Sequence, residues 1–141
     1  MHAIIFMQTK VQKQRLVINH IALSVLDLKR STRFYEEVMQ LATIPEPFKD
    51  GKHCWFQIGD SCQLHLIEGL KEVVKQHINS HLAFTVPSIE DFAQNLSREG
   101  ITYCEPEGGR LNVIHTRPDG IKQVFFQDPD GYWLEVNNDI G

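Results

Sequence analysis

The 141-residue chain is 42% apolar and 23% charged, ordinary values for one globular domain. Its 14 basic against 18 acidic side chains, net charge −4, exclude a basic nucleic-acid-binding stripe. Its longest fully apolar run, Ala3–Met7, is far short of the roughly 20 residues of a membrane span, and it precedes rather than follows Lys10, Lys13 and Arg15, unlike a secretory signal.

Residues 1–15 carry no assignable pattern and read as an N-terminal extension to a single domain spanning 16–141. Leu16–Val25 alternates in aliphatic and β-branched residues and predicts a strand. Asp27 has the character of a helix N-cap, ahead of an amphipathic run with Phe34, Tyr35, Val38, Met39 and Leu41 at helical spacing. Pro45 and Pro47 end that region. Cys54–Ile58 and Cys62–Ile67 predict a hairpin about Gly59-Asp60, and Gly69–His77 a polar connector with a helical turn. His81–Val86 is a second strand, and Ser88 caps a helix running to Glu99 and stopped by Gly100. Strands are then expected at Ile101–Cys104, Leu111–Thr116, Lys122–Gln127 and Tyr132–Asn137, with turns at Pro118-Asp119-Gly120 and Asp128-Pro129-Asp130-Gly131.

These elements repeat. His20-Ile-Ala-Leu-Ser-Val25 and His81-Leu-Ala-Phe-Thr-Val86 share one form, and Phe56-Gln57 and Leu64-His65-Leu66 are matched by Phe126-Gln127 and Leu134-Glu135-Val136. Two matches in the same order point to duplicated modules, 16–68 and 78–138, each opening with a strand and a helix and closing with a run of strands. Side chains alternate across a strand, so His20, His65, His81 and Glu135 each occupy the face opposite an apolar set. Imidazole and carboxylate suit divalent ions such as zinc, nickel, cobalt, manganese or iron(II). The same pattern also fits half-buried polar residues lining a groove without metal.

Asn19-His-Ile-Ala-Leu23, Phe34-Tyr-Glu-Glu-Val38, Ser80-His-Leu-Ala-Phe84 and above all Phe125-Phe-Gln-Asp-Pro-Asp-Gly-Tyr-Trp-Leu-Glu-Val136 resemble the vicinal oxygen chelate superfamily, which includes glyoxalase I, methylmalonyl-CoA epimerase, extradiol dioxygenases, fosfomycin-resistance thiol transferases and bleomycin-resistance proteins. The resemblance implies an α+β fold in which two βαβββ modules form a paired, cupped mixed β-sheet with helices outside. It also implies a metal held by His20, His65, His81 and Glu135. His65 departs from the subfamilies at its position, where glyoxalase I carries Glu and the epimerases Gln.

The leading expectation is a glyoxalase-I-like lyase acting on the thiohemiacetal of a 2-oxoaldehyde and a small thiol such as glutathione, with Glu135 moving the proton. An iron(II) extradiol dioxygenase using His20, His81 and Glu135 is the alternative, weakened because Phe125 stands where those enzymes carry Tyr. Drug sequestration without metal is a third. Trp55, Gln57, Phe125 and Trp133 are candidates to line the substrate groove, and Arg110, Arg117 and Lys122 to meet an anionic tail. His53 and His115 are candidates to face the substrate or support the ligands, whereas His2 and His77 are expected on the surface. The resemblance further suggests a homodimer, and the odd set Cys54, Cys62 and Cys104 a reducing cytoplasm.

Overall fold

In the computed structural model, residues 14–141 are described; the expected extension lies outside them up to residue 13. The first module consists of β1 (His20–Val25), α1 (Leu28–Glu37), β2 (Thr43–Ile44), β3 (His53–Ile58) and β4 (Cys62–Glu68). The second consists of β5 (His81–Thr85), α2 (Ile89–Arg98), β6 (His115–Thr116), β7 (Lys122–Gln127) and β8 (Trp133–Asn137). Each forms a four-stranded mixed sheet, ordered β1-β4-β3-β2 and β5-β8-β7-β6. In both, the first strand runs parallel to the last and the remaining pairs are antiparallel.

The registers duplicate as well. Opposite His20 stands Gln63, with His65 two residues on; opposite His81 stands Trp133, with Glu135 two residues on. Across the hairpins, Trp55 pairs with His65 and Phe125 with Glu135.

Local chemistry sets the helix ends. Asp27 accepts from the Arg30 backbone N–H at 3.0 Å, and Ser88 Oγ from that of Asp91 at 3.2 Å, each satisfying a donor that the first helical turn cannot. α1 stops at Glu37, short of the apolar spacing that continues to Leu41, because Gln40 turns left-handed at φ 56° and the Leu41 N–H returns to the Tyr35 carbonyl.

Both modules share one core. Phe126 of β7 meets Phe34 of α1 at 6.4 Å and Phe92 of α2 at 5.8 Å, centroid to centroid, while Phe56, Leu64, Leu66, Leu134 and Val136 are fully buried beneath the helices. The β7–β8 turn clasps the first module: buried Asp130 accepts from the Leu26 N–H at 2.8 Å and from Ser31 Oγ at 2.6 Å. Tyr132 donates its hydroxyl to the Ser24 carbonyl at 2.9 Å.

Several elements are shorter than the sequence predicts. Leu16–Ile18 is exposed and outside the sheet, with β1 beginning only at His20. Ile101–Cys104 contributes only a bridge at Cys104, bonded to both Leu111 and Phe125. Leu111–Thr116 contributes, besides that bridge at Leu111, only the strand His115–Thr116, because Asn112 adopts φ 54° and its side chain accepts from the Tyr103 N–H. The 69–77 connector has no helical turn; it runs irregularly, and the Val74 N–H bonds to the Asp130 carbonyl at 2.8 Å.

Candidate active site

Each sheet has a core face and an opposite face, and the expected ligands stand on the latter. On the first sheet His20 is exposed and His65 is buried. His20 Nδ1–H donates to the Asn19 side-chain oxygen at 2.7 Å, leaving Nε2 as the lone-pair nitrogen, with no hydrogen-bond partner among the described residues. His65 is oriented the other way round, with Nε2–H donating to the Gln63 side-chain oxygen at 2.9 Å. Burial, reinforced by His20 and His53, pushes the His65 pKa below the ordinary imidazole value and favours the neutral ring.

His65 is also the middle ring of a stack. Trp55 lies on it at 3.8 Å and 4° between planes, and His20 covers its other side at 4.2 Å and 13°. Phe48, from the loop before β3, extends this aromatic surface by stacking on His53 at 4.3 Å and meeting the Trp55 edge at 6.2 Å. That loop is shaped by Glu46, which accepts from the N–H groups of Phe48 and Lys49, and by Asp50, which accepts from the Lys52 N–H and His53 Nδ1. The hollow over this face has a volume of about 430 Å³ and includes Asn19, His20, Phe48, Trp55 and His65 in its lining. The buried Trp55 Nε1–H has no hydrogen-bond partner among the described residues.

The second sheet carries a compact pair. His81 Nδ1–H donates to the Ile78 carbonyl at 2.7 Å, which fixes the ring and turns Nε2 to within 3.6 Å of Glu135 Oε2. Fixing a histidine through its second nitrogen is how metal-binding imidazoles are held. Phe125 meets the His81 ring edge-on at 5.2 Å and packs with Ile78, Cys104 and Trp133 into a small apolar cluster beside the pair. Donor chemistry and orientation in His81–Glu135 therefore suit a divalent ion, and His20 Nε2 is a third donor, an imidazole nitrogen like that of His81.

The structure does not gather the four expected ligands. Among the described residues no three His, Cys, Asp or Glu side chains converge, so His20–His65 and His81–Glu135 remain separate half-sites on two sheets.

Other candidates are placed elsewhere. Lys122 pairs with Glu90 of α2, on the helix side of its sheet with Val124 and Phe126, because its parity is opposite to that of Phe125. Arg110 is held by Glu105 of its own exposed loop at 2.9 Å, and Arg117 pairs with Asp119 in the β6–β7 turn. Gln57 spends its amide closing the β3–β4 hairpin onto the Gly59 carbonyl at 2.9 Å, as Gln127 does onto Gly131 at 3.1 Å. His115 contacts Gln123 at 3.0 Å, His77 is exposed and His2 lies outside the described residues. The supporting groups Asn19, Gln63 and the Ile78 carbonyl were not among the sequence-based candidates. Asn19 and Gln63 adjoin ligand positions in sequence or register, whereas Phe48 sits in a loop with no periodic signal.

The family profile described as Glyoxalase/Bleomycin resistance protein/Dioxygenase superfamily matches residues 17–136. Metallothiol transferase FosB of Staphylococcus saprophyticus is 28% identical over 125 residues, covering 85% of this chain and 75% of the relative. Lactoylglutathione lyase of Pseudomonas aeruginosa is 24% identical over 164 residues, covering 94% and 88%. Among solved structures, Oxidase ChaP-H1 superposes with a TM-score of 0.72 at 28% identity, covering 88% of this chain and 96% of that one.

Proposed function

Because the chain belongs to the Glyoxalase/Bleomycin resistance protein/Dioxygenase superfamily, we propose that it is a metal-dependent enzyme of the glyoxalase-I type, acting on a 2-oxoaldehyde joined to a small thiol such as glutathione. The observation that carries this reading is the His81–Glu135 pair, a fixed imidazole and a buried carboxylate at 3.6 Å on the face opposite the core.

His81 and Glu135 would hold the ion through one half-site and His20 through the other. When bound, a divalent ion supplies positive charge beside adjacent substrate oxygens, where negative charge develops during proton transfer. Glu135 would be the carboxylate that takes the proton from one carbon and returns it to its neighbour. Phe125, the cross-strand partner of Glu135, and Trp133 would form the apolar wall beside the carboxylate.

Since the half-sites are apart within the chain, the reading includes a homodimer. The first sheet of one protomer would face the second sheet of its partner, each pair of faces enclosing one site. The unpaired thiols Cys54, Cys62 and Cys104 suit a reducing compartment, here read as the cytoplasm. No helix among the described residues is long and apolar enough to cross a membrane.

Similarity to FosB supports a second reading, addition of a thiol to a small oxygen-rich electrophile at the same ion. The two are separated by supplying the nickel-, zinc- or cobalt-loaded protein with methylglyoxal and glutathione, and in parallel with fosfomycin and the same thiol. Turnover of the first mixture supports the lyase, and turnover of the second alone replaces it with the transferase. Oxygen uptake with catechol after iron(II) loading, with neither of the others, would overturn both.

A further inference from the structure

We infer that His65 is not a ligand of the ion but a positioning residue, the centre of a ring stack that sets the plane of His20. This rests on the metal reading of the site and specifies which side chains serve it.

An imidazole donates to a metal through a lone pair lying in its ring plane, at about 2.0–2.1 Å for zinc. His20 and His65 are stacked at 4.2 Å with planes 13° apart. Stacked rings cannot approach below roughly 3.5 Å of van der Waals separation. An ion in the plane of one ring at bonding distance is therefore well out of the plane of the other. The two lone pairs lie in separate, nearly parallel planes and do not converge, so one ion cannot be served by both rings as they stand.

Two further observations say which ring serves it. His20 has its Nδ1 tied to Asn19 and its lone pair on Nε2, the same arrangement as His81, whose Nδ1 is tied to the Ile78 carbonyl. His65 has the reverse: Nε2–H is committed to Gln63, so its lone pair lies on Nδ1, the ring nitrogen nearer the backbone, and both ring faces are covered by Trp55 and His20. His65 is buried and His20 is exposed, and the stack runs across the strands from Trp55 on β3 through His65 on β4 to His20 on the edge strand β1. Trp55 and His65 thus make a rigid base against which the exposed imidazole rests. His65 is the register counterpart of Glu135, so the duplicated position holds an acid in one module and a spacer in the other.

The test uses the full-length protein and zinc(II), read by side-chain ¹⁵N resonances of the histidines and by zinc affinity against a competing chelator. In the wild type, zinc shifts a ring nitrogen of His20 and of His81 and leaves both nitrogens of His65 in place. His65→Phe, which preserves a stacked ring without a nitrogen, keeps zinc affinity within about threefold. His65→Ala removes the support and weakens binding by about 10–100-fold, the range for groups that orient a ligand. His20→Ala weakens it at least as much as His65→Ala. Movement of a His65 nitrogen on zinc binding, or a His65→Phe variant as weak as His20→Ala, would make His65 a ligand and overturn the inference. A His65→Ala variant indistinguishable from the wild type would remove the positioning role. A wild-type protein that takes up no zinc overturns the metal reading itself, and the inference falls with it. By contrast, zinc uptake with the expected shifts but no thiol-adduct turnover overturns only the proposed reaction.

Discussion

The Tyr35 hydroxyl donates to Asp128 Oδ2 at 2.6 Å, joining the helix of the first module to the β7–β8 turn of the second across 93 residues of chain. Tyr35 is fully buried, and Asp128 also accepts from the N–H groups of Asp130 and Tyr132. With the neighbouring Asp130 contacts to Leu26 and Ser31, the segment Asp128-Pro129-Asp130-Gly131 is a polar clasp between the modules rather than a simple hairpin turn.

Tyr35→Phe should lower unfolding free energy by about 1–3 kcal/mol, the cost of leaving a buried acceptor short of a donor. It should also change the alkaline limb of stability. Burial, with Asp128 beside it, raises the Tyr35 pKa well above its ordinary 10.0. The unfolded chain then releases the tyrosine proton first, so stability is fully present below the ordinary value and falls as pH rises beyond it. Urea unfolding across that range should show a shallower decline in the Phe variant; equal slopes would contradict this account.

Asp130→Ala should be the more damaging change. It strips the acceptor from the Leu26 N–H and the Ser31 hydroxyl at once, at a cost of about 2–5 kcal/mol. Denaturant midpoints compared with Ser31→Ala, which removes only one of those bonds, measure the difference.

Gly131→Ala tests the backbone of the same clasp. The glycine sits at φ +91°, and an added Cβ would lie 2.5 Å from the Val74 carbonyl oxygen. Gly120, at φ +88° with nothing within 4 Å, shares the conformation without the collision. Gly120→Ala should therefore cost only the left-handed backbone penalty of about 1 kcal/mol, and Gly131→Ala clearly more, as read by thermal unfolding. Equal losses would show that the connector gives way.

Mixing two inactive variants tests whether the site spans two chains. If His20 of one protomer works with Glu135 of its partner, His20→Ala and Glu135→Gln homodimers are each impaired, while their mixed dimer regains one intact site. Subunit exchange in equal amounts should then restore about a quarter of wild-type activity, since half the dimers are mixed and each has one good site of two. No recovery in verified mixed dimers would place the site within one chain.

Treatment with a chelator should abolish turnover, and a divalent ion should return it. Glu135→Gln should still bind the ion through the remaining donors yet lose about 10²–10⁴-fold in rate, as expected for removal of a general base. Metal content by elemental analysis alongside steady-state rates separates the two effects.

The sequence alone determined the duplication, the βαβββ order and the face on which His20, His65, His81 and Glu135 stand. Periodicity and capping are local properties: Asp27 and Ser88 cap their helices, and alternation sends Leu64 and Leu66 to one face of the strand and His65 to the other whatever the rest of the chain does. Tertiary structure decided what those facing residues do. Ring stacking depends on rotamers and on Trp55 arriving from a neighbouring strand, so strand parity could not reveal that His20 and His65 hold their lone pairs in separate, nearly parallel planes. Lys122 and Arg110 were lost to Glu90 and Glu105 for a similar reason, since an exposed cation pairs with whatever acid the fold brings to it. The separation of the half-sites is likewise a matter of packing, because the clasp through Tyr35, Asp128 and Asp130 sets how the modules join, and no spacing along the chain encodes that distance.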